Sequence, residues 1–212
     1  MTLTNEAVKL NSAWRRRHPG RRSLPPIFLV TDPHRLPDPR PFLRNLPRGG
    51  GVIYRSYNGG GDRATRLDFA RRLLRACHER GLLLLIAGDD RLAAAVGADG
   101  IHLAEWRLRR GAWKRAPIHR RGGLVTAACH GRAALARADS LGIDAALLAP
   151  VFVTESHPRA RPLGARRFSA LVRVSRLPVF ALGGVGPRTV ARIRYSGAAG
   201  IAGIGGIVES QA

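Results

Sequence analysis

Eight short apolar runs recur at intervals along the sequence from residue 27 onward. Most of the segments between them can form helices. Strands that alternate with helices pair in parallel, because each helical crossover returns the chain to the same end of the sheet. Eight such units close into a barrel, so the pattern predicts an α/β fold of the (β/α)8 TIM barrel type. The runs are residues 27–30, 52–54, 82–87, 101–103, 124–127, 145–149, 179–182 and 200–204.

Several of the intervening helices can be placed from their spacing. Residues 64–79 show an apolar face at helical intervals, and residues 132–141 and 187–195 behave likewise. Residues 38–46 are crowded by prolines and predict a poor helix.

The two ends of the sequence depart from a regular barrel. Residues 1–26 are predicted to be an N-terminal extension, in which Asn5 caps a helix that runs to Trp14 and a basic linker follows. The barrel domain is assigned to residues 27–212. Too few residues follow Ile207 for a full eighth helix, so we expect a shortened C-terminal helix. We also expect the N-terminal helix to cover part of the strand flank left bare.

Composition narrows the class of protein. The chain of 212 residues carries 36 Lys and Arg against 14 Asp and Glu, a net charge of +22. Such a charge attracts anions, but the arginines are scattered over most predicted helices, which argues against nucleic acid as the main partner. No apolar run reaches the 18 or so residues of a membrane span, and no membrane partner is expected. Cys77 and Cys129 are interpreted as free thiols, which favours the cytoplasm.

The last two predicted strands each end in a glycine pair, Gly183-Gly184 and Gly205-Gly206. Turns without side chains leave backbone N–H groups pointing outward, and the last two strands of a (β/α)8 barrel commonly hold phosphate in this way. The alternative is that these are ordinary tight turns. The glycine pattern favours a phosphorylated small molecule as the ligand. The sequence does not decide the oligomeric state, and a homo-oligomer is possible.

Several motifs taken together resemble the thiamine-phosphate synthase family, which includes the thiazole tautomerases. They keep the family's order and spacing from about residue 27 to residue 207. The matches are FLVTDP (28–33), VGADGIHLAE (96–105), APVFVTES (149–156) with Gly164 after it, ALGGV (181–185) and SGAAGIAGIGGI (196–207). The resemblance implies a (β/α)8 transferase that joins hydroxymethylpyrimidine diphosphate to thiazole phosphate, with Mg²⁺ on the diphosphate.

The resemblance also implies roles for individual residues. Arg55 occupies the position of the arginine in the family's R-E-K motif, and His102 and His130 match family positions, so these three are the candidate catalytic residues. His157 stands at the position of the lysine that follows the family's T-x-T motif, and it is a candidate for phosphate binding. Arg107 is a further candidate for phosphate binding. The remaining phosphate-binding candidates are Thr154, Ser156, Gly183, Gly184, Ile204 and Gly205.

The family's metal machinery is altered. Its Asn-Asp pair falls on Ala87 and Gly88, and its second metal carboxylate falls on Arg107, so no metal ligand is assigned. Asp89 and Asp90 form either a shifted metal site or a helix cap, and the cap is preferred. Glu105 is another free carboxylate at a loop position.

Arginines could replace the cation, because a guanidinium binds phosphate as a fixed charge. Arg55 and Arg107 would then hold the diphosphate without a metal. Ser56 and Tyr57 stand at the positions of the glutamate and the lysine of the family's R-E-K motif. Pro150 stands at the position of the catalytic histidine of the tautomerases. The first functional hypothesis is therefore a synthase-like enzyme with an altered diphosphate site. The alternative is a non-synthase relative that binds thiazole phosphate or another phosphate ester in a regulatory or different catalytic role.

Overall fold

Eight parallel strands form a closed barrel in chain order. The structure is a computed structural model that describes residues 2–55, 62–109, 121–155 and 159–208. The TIM barrel prediction is confirmed, and each of the eight apolar runs is a strand whose bounds lie within two residues of those predicted. The strands are β1 (Ile27–Val30), β2 (Gly51–Arg55), β3 (Leu83–Ala87), β4 (Gly100–Leu103), β5 (Leu124–Cys129), β6 (Ala145–Leu148), β7 (Val179–Leu182) and β8 (Gly200–Gly203).

Helices and short 3₁₀ segments cover the outside of the barrel. The α-helices are α1 (Leu3–Arg17), α2 (Arg63–Glu79), α3 (Asp90–Val96), α4 (Arg132–Ser140), α5 (Gly164–Val174) and α6 (Gly205–Val208). The 3₁₀ helices are Arg40–Asn45, Glu105–Arg109 and Val190–Ile193. Among the described residues, no helix is long and apolar enough to cross a membrane.

The predicted helix over residues 187–195 is wrong, because only the 3₁₀ turn Val190–Ile193 forms there. The side chain of Thr189 explains the difference. Its Oγ1 accepts a hydrogen bond from the N–H of Gly186 at 2.9 Å and lies 2.8 Å from the carbonyl oxygen of Gly184, to which it donates. These local bonds hold the preceding residues in a turn that competes with a helical start.

The predicted capping role of Asn5 is also wrong. The helix begins earlier, at Leu3, and Thr2 is the cap: its Oγ1 accepts a hydrogen bond from the backbone N–H of Asn5 at 3.3 Å. Asn5 therefore lies within the first turn of α1.

Helix α1 packs against the outer flank of β8 and β1. Leu3, Ala7 and Leu10 are buried in the hydrophobic core that lies between strands and helices. Nδ2 of Asn11 donates to the carbonyl oxygen of Ala199 at 2.8 Å and to that of Leu24 at 3.3 Å. These contacts show the N-terminal helix covering the flank, as expected, while the division of the chain after residue 26 stays a prediction.

A buried ion-pair group fastens α1 to the barrel. The carboxylate of Glu6 is only 2% exposed and lies 3.0 Å from both Nζ of Lys9 and Nε of Arg194. The hydrogen bond from Lys9 lowers the pKa of Glu6, burial opposes this, and Arg194 lowers it further. Because a buried carboxylate without a cation would be costly, the group holds α1 beside the turn that follows the 3₁₀ helix Val190–Ile193.

The interior of the barrel is packed with apolar side chains. Phe28 and Phe180 meet edge to face with ring centroids 5.1 Å apart. Trp14 and Leu24 join the same interior cluster from α1 and from the segment leading into β1. The packed interior leaves the carboxyl ends of the strands as the place for a ligand site.

Candidate active site

Arg55 ends strand β2 at the mouth of the barrel. Its backbone N–H donates to Oγ1 of Thr31, the residue after β1, at 2.8 Å. The guanidinium is close enough to influence two neighbouring groups. Burial raises the pKa of Asp32, but the N–H groups of Arg35 and His34 and the charges of Arg35 and Arg55 outweigh it, so the pKa is lowered. The charge of Arg55 also lowers the pKa of His102.

His102 lies on β4 and is 6% exposed. Its Nδ1 is 2.9 Å from Oγ1 of Thr126 on the adjacent strand β5. The Thr126 hydroxyl also lies 3.5 Å from the carbonyl oxygen of Ile101. Burial, and then the charge of Arg55, lowers the pKa of His102 to about 3, so the imidazole stays neutral at physiological pH. It is thus a hydrogen-bonded interior residue and also a neighbour of Arg55.

His130 follows β5 and is 59% exposed. Its backbone N–H donates to Oε2 of Glu105 at 2.8 Å, and its Nδ1 lies 2.7 Å from the same oxygen. The sequence suggested Glu105 only as an isolated loop carboxylate. The one available signal for the pair was that both residues follow the ends of adjacent strands, β4 and β5.

The turn after β7 requires glycine. Gly183 and Gly184 have φ angles of 88° and 67°, in the left-handed region. A Cβ on Gly184 would lie 2.7 Å from Cβ of Phe152 and would collide with the carbonyl oxygen of Val153. The glycine pair therefore lets the turn pack directly against the loop that follows β6.

The turn after β8 contacts the turn after β7. A Cβ on Gly206 would lie 2.8 Å from the carbonyl oxygen of Val185 and 2.9 Å from Cα of Gly186. Gly183, Gly184 and Gly205 are partly exposed, and their amides donate no hydrogen bond to any residue that the structure describes. Two adjoining, partly exposed turns whose N–H groups have no described partner form a surface suited to an anion. We call Gly183, Gly184, Ile204 and Gly205 the glycine cradle.

The loop after β6 is described only in part. Thr154 is partly exposed and follows Val153, whose carbonyl oxygen adjoins Gly184. Ser156 and His157 lie outside the described residues, as do Ser56 and Tyr57. Their roles stay predictions from the resemblance.

Arg107 is paired with Asp90. The two guanidinium nitrogens lie 2.8 and 2.6 Å from the two carboxylate oxygens. Asp89 caps α3, because its side chain accepts from the N–H of Leu92 at 2.9 Å, so the capping interpretation is confirmed. Sequence reasoning missed the partnership of Arg107 with Asp90.

The residues at the family's metal positions do not fit Mg²⁺. The cation favours carboxylate and phosphate oxygens. Gly88 has no side chain, and Arg107 brings a positive charge that is already matched by Asp90. Within the described parts of the chain, no group of three His, Cys, Asp or Glu side chains is placed to hold a metal.

The protein is a (β/α)8 barrel with polar residues at the carboxyl ends of its strands, which is the arrangement found in enzymes of this fold. Residues 27–207 match the family described as thiamine monophosphate synthase. The chain belongs to this family, and is a thiamine-phosphate-synthase-like protein from a transferase family of thiamine biosynthesis.

Individual relatives agree with the family match. The chain is 34% identical over 145 residues to a putative thiamine-phosphate synthase of Geobacter sulfurreducens, covering 68% of this chain and 67% of that one. It is 29% identical over 180 residues to thiamine-phosphate synthase of Alcanivorax borkumensis, covering 83% and 82%. A longer relative, thiamine-phosphate synthase of Synechococcus sp. WH7803, is 31% identical, and the chain spans 44% of its length.

A solved structure supports the fold. Thiamine phosphate pyrophosphorylase from Pyrococcus furiosus superposes with a TM-score of 0.73, covering 87% of this chain and 90% of that chain. At 20% sequence identity, this likeness speaks for the architecture alone.

Proposed function

We propose that the protein joins hydroxymethylpyrimidine diphosphate to thiazole phosphate through an altered diphosphate site. The observation that carries the proposal is the glycine cradle, which lies at the ends of β7 and β8 and in which the N–H groups of Gly183, Gly184 and Gly205 have no described partner. The family match over residues 27–207 names the chemistry that such a site would serve.

The glycine cradle is assigned to the phosphate of the thiazole substrate. Backbone N–H groups bind an anion without a mobile side chain, and so fix the thiazole ring in one orientation. The loop after β6, including Thr154 and the predicted Ser156 and His157, would complete this side of the site. The thiazole nitrogen would then approach the pyrimidine from the β6–β8 side of the mouth.

Arg55 is assigned to the diphosphate of the second substrate. In the reaction, a C–N bond to the thiazole nitrogen forms, a C–O bond to the diphosphate breaks, and the electron pair stays on the leaving oxygen. A guanidinium near that oxygen stabilises the growing charge. Arg107 is predicted to add to this contact only when its pair with Asp90 opens. His102, neutral and fixed by Thr126, lines the wall beside Arg55.

The direct test is product formation. The protein is incubated with both substrates, with Mg²⁺ and with EDTA, and thiamine phosphate is quantified against a reaction without protein. We expect product, and we expect Arg55→Gln to lower kcat/KM by about 100-fold, in the range for loss of one preorganised charge donor. Arg71→Gln, on the exposed outer face of α2, is the matched control and should have no effect.

Absence of product above background under both conditions would contradict synthase chemistry. Calorimetric titration with thiazole phosphate alone tests the glycine cradle separately. Heat of binding without product would identify a phosphate-ester binder that lacks the transfer step.

We also propose that the protein works in the cytoplasm on phosphorylated substrates. Cys77 and Cys129 support this, since both are buried free thiols.

A further inference from the structure

One carboxylate oxygen receives both N–H groups of His130. Oε2 of Glu105 lies 2.8 Å from the backbone nitrogen and 2.7 Å from Nδ1 of the ring. An ionised carboxylate can only accept hydrogen bonds, so the ring nitrogen that faces it must carry the proton. Nδ1 is thereby occupied, and Nε2 is the ring atom left for another partner.

His130 lies at the carboxyl end of β5, where the strands reach the mouth of the barrel. Side chains of a strand alternate between the barrel interior and the outside. Thr126 faces the interior, where it bonds His102, so Ala128 lies on the same face of β5, and His130 is the first residue after the strand. Ala128 is small and partly exposed, so the strand end beside His130 is open to solvent.

Cys129 and Arg107, two described groups near Glu105, do not compete for its carboxylate. Burial, and then the charge of Glu105, raises the pKa of the Cys129 thiol to about 12, so this group stays neutral. Arg107, on the same 3₁₀ helix as Glu105, is bonded to Asp90.

We propose that Glu105 is a positioning residue that fixes His130 as the Nδ1–H tautomer, with Nε2 presented to the mouth of the barrel. In the neutral ring, Nε2 is a hydrogen-bond acceptor, and the ligand group it takes is an N–H or O–H of the bound substrate. His130 is then the contacting residue and Glu105 acts through it. The tautomer is a property of the protein alone, whereas its effect on turnover rests on the proposed function.

The tautomer is measured by ¹⁵N NMR of the histidine side chains, with the His130 signals identified by their loss in His130→Asn. We expect Nδ1–H for His130 in the wild type. Glu105→Ala should move the ring toward the Nε2–H form, and Glu105→Gln should largely keep Nδ1–H because the amide oxygen still accepts. Glu155→Gln is the matched control, a mouth carboxylate that is 90% exposed and 3.8 Å from Arg35.

Kinetics provide the second readout. Glu105→Ala should lower kcat by about 10-fold to 100-fold, with KM for thiazole phosphate within about twofold, and Glu105→Gln should restore most of the loss. An Nε2–H ring in the wild type, or a tautomer unchanged in Glu105→Ala, would overturn the proposal. Because the NMR result does not need turnover, a protein without synthase activity would contradict the proposed function and leave the positioning role to be decided by the spectrum.

Discussion

Arg107 and Asp90 meet in a two-point ion pair, with nitrogen–oxygen distances of 2.8 and 2.6 Å, that joins the 3₁₀ helix after β4 to the start of α3. Both side chains are largely shielded from water, at 16% and 24% exposure. The family resemblance puts a metal carboxylate at residue 107. The ion pair of Arg107 and Asp90 joins the segment after β4 to the segment after β3 by direct contact of opposite charges.

Arg107→Asp should create cation affinity at this edge of the mouth. Replacing a positive by a negative charge next to Asp90 and a bound diphosphate favours a divalent ion by at least about tenfold in Kd. Mn²⁺ binding in the presence of pyrophosphate, followed by electron paramagnetic resonance, measures this directly. Arg107→Gln and Arg109→Asp are the controls, and an equal gain in Arg109→Asp would show a mere surface charge effect.

Gly184→Ala should destabilise the protein by about 3 kcal/mol. An alanine would have to adopt the left-handed conformation and would crowd Phe152. Gly186→Ala is the paired control, because a Cβ there meets only Cα of Gly206 at 3.8 Å, and it should cost less than about 1 kcal/mol. The free energy of unfolding in urea compares the two, and similar losses would refute the close packing of the β7 turn.

Leu10→Ala should cost about 3 kcal/mol of stability, since the side chain is 4% exposed between α1 and the barrel. Val8→Ala changes the same helix at a residue that is 39% exposed, and should cost less than about 0.5 kcal/mol. Thermal and urea unfolding give both values. If Leu10→Ala were as mild as Val8→Ala, α1 would not be part of the cooperative core.

His102 should make the protein less stable in mild acid. Its pKa is about 3 when folded and 6.5 when unfolded, so between these values only the unfolded chain binds the proton. Stability from this group is therefore present above pH 6.5 and is lost as pH falls toward 3. Between pH 7 and pH 5 the loss is about 2 kcal/mol.

The comparison needs His102→Asn, which keeps a polar group near Thr126 and removes the titration. Urea unfolding at both pH values should show a smaller decrease in the variant than in the wild type. An identical decrease would mean that His102 is accessible to protons in the folded state.

The barrel was predictable because its strands are buried on both faces and read as uninterrupted apolar runs. The misplaced elements have local causes that spacing does not reveal. The Thr189 hydroxyl replaces a helical turn, and Thr2 caps α1 ahead of Asn5. Propensity and periodicity miss such single side-chain bonds.

The placement of the candidate residues at strand ends was predictable, and their pairing was not. Arg55, His130 and the glycine turns follow strand ends, which a barrel gathers at one face. The bonds between Asp90 and Arg107, and between Glu105 and His130, join residues 17 and 25 positions apart. They depend on how neighbouring loops fold over the rim, which no periodic pattern encodes.

The bond from Asn11 to Ala199 spans 188 positions of the chain. A ribosome therefore releases α1 long before its docking surface exists, and the apolar face of α1 must wait for β8 to be synthesised and paired with β1. Contacts so distant in sequence form slowly, because a very long loop must close first. Nascent chains of this protein thus expose the apolar face of α1 until β8 has been synthesised.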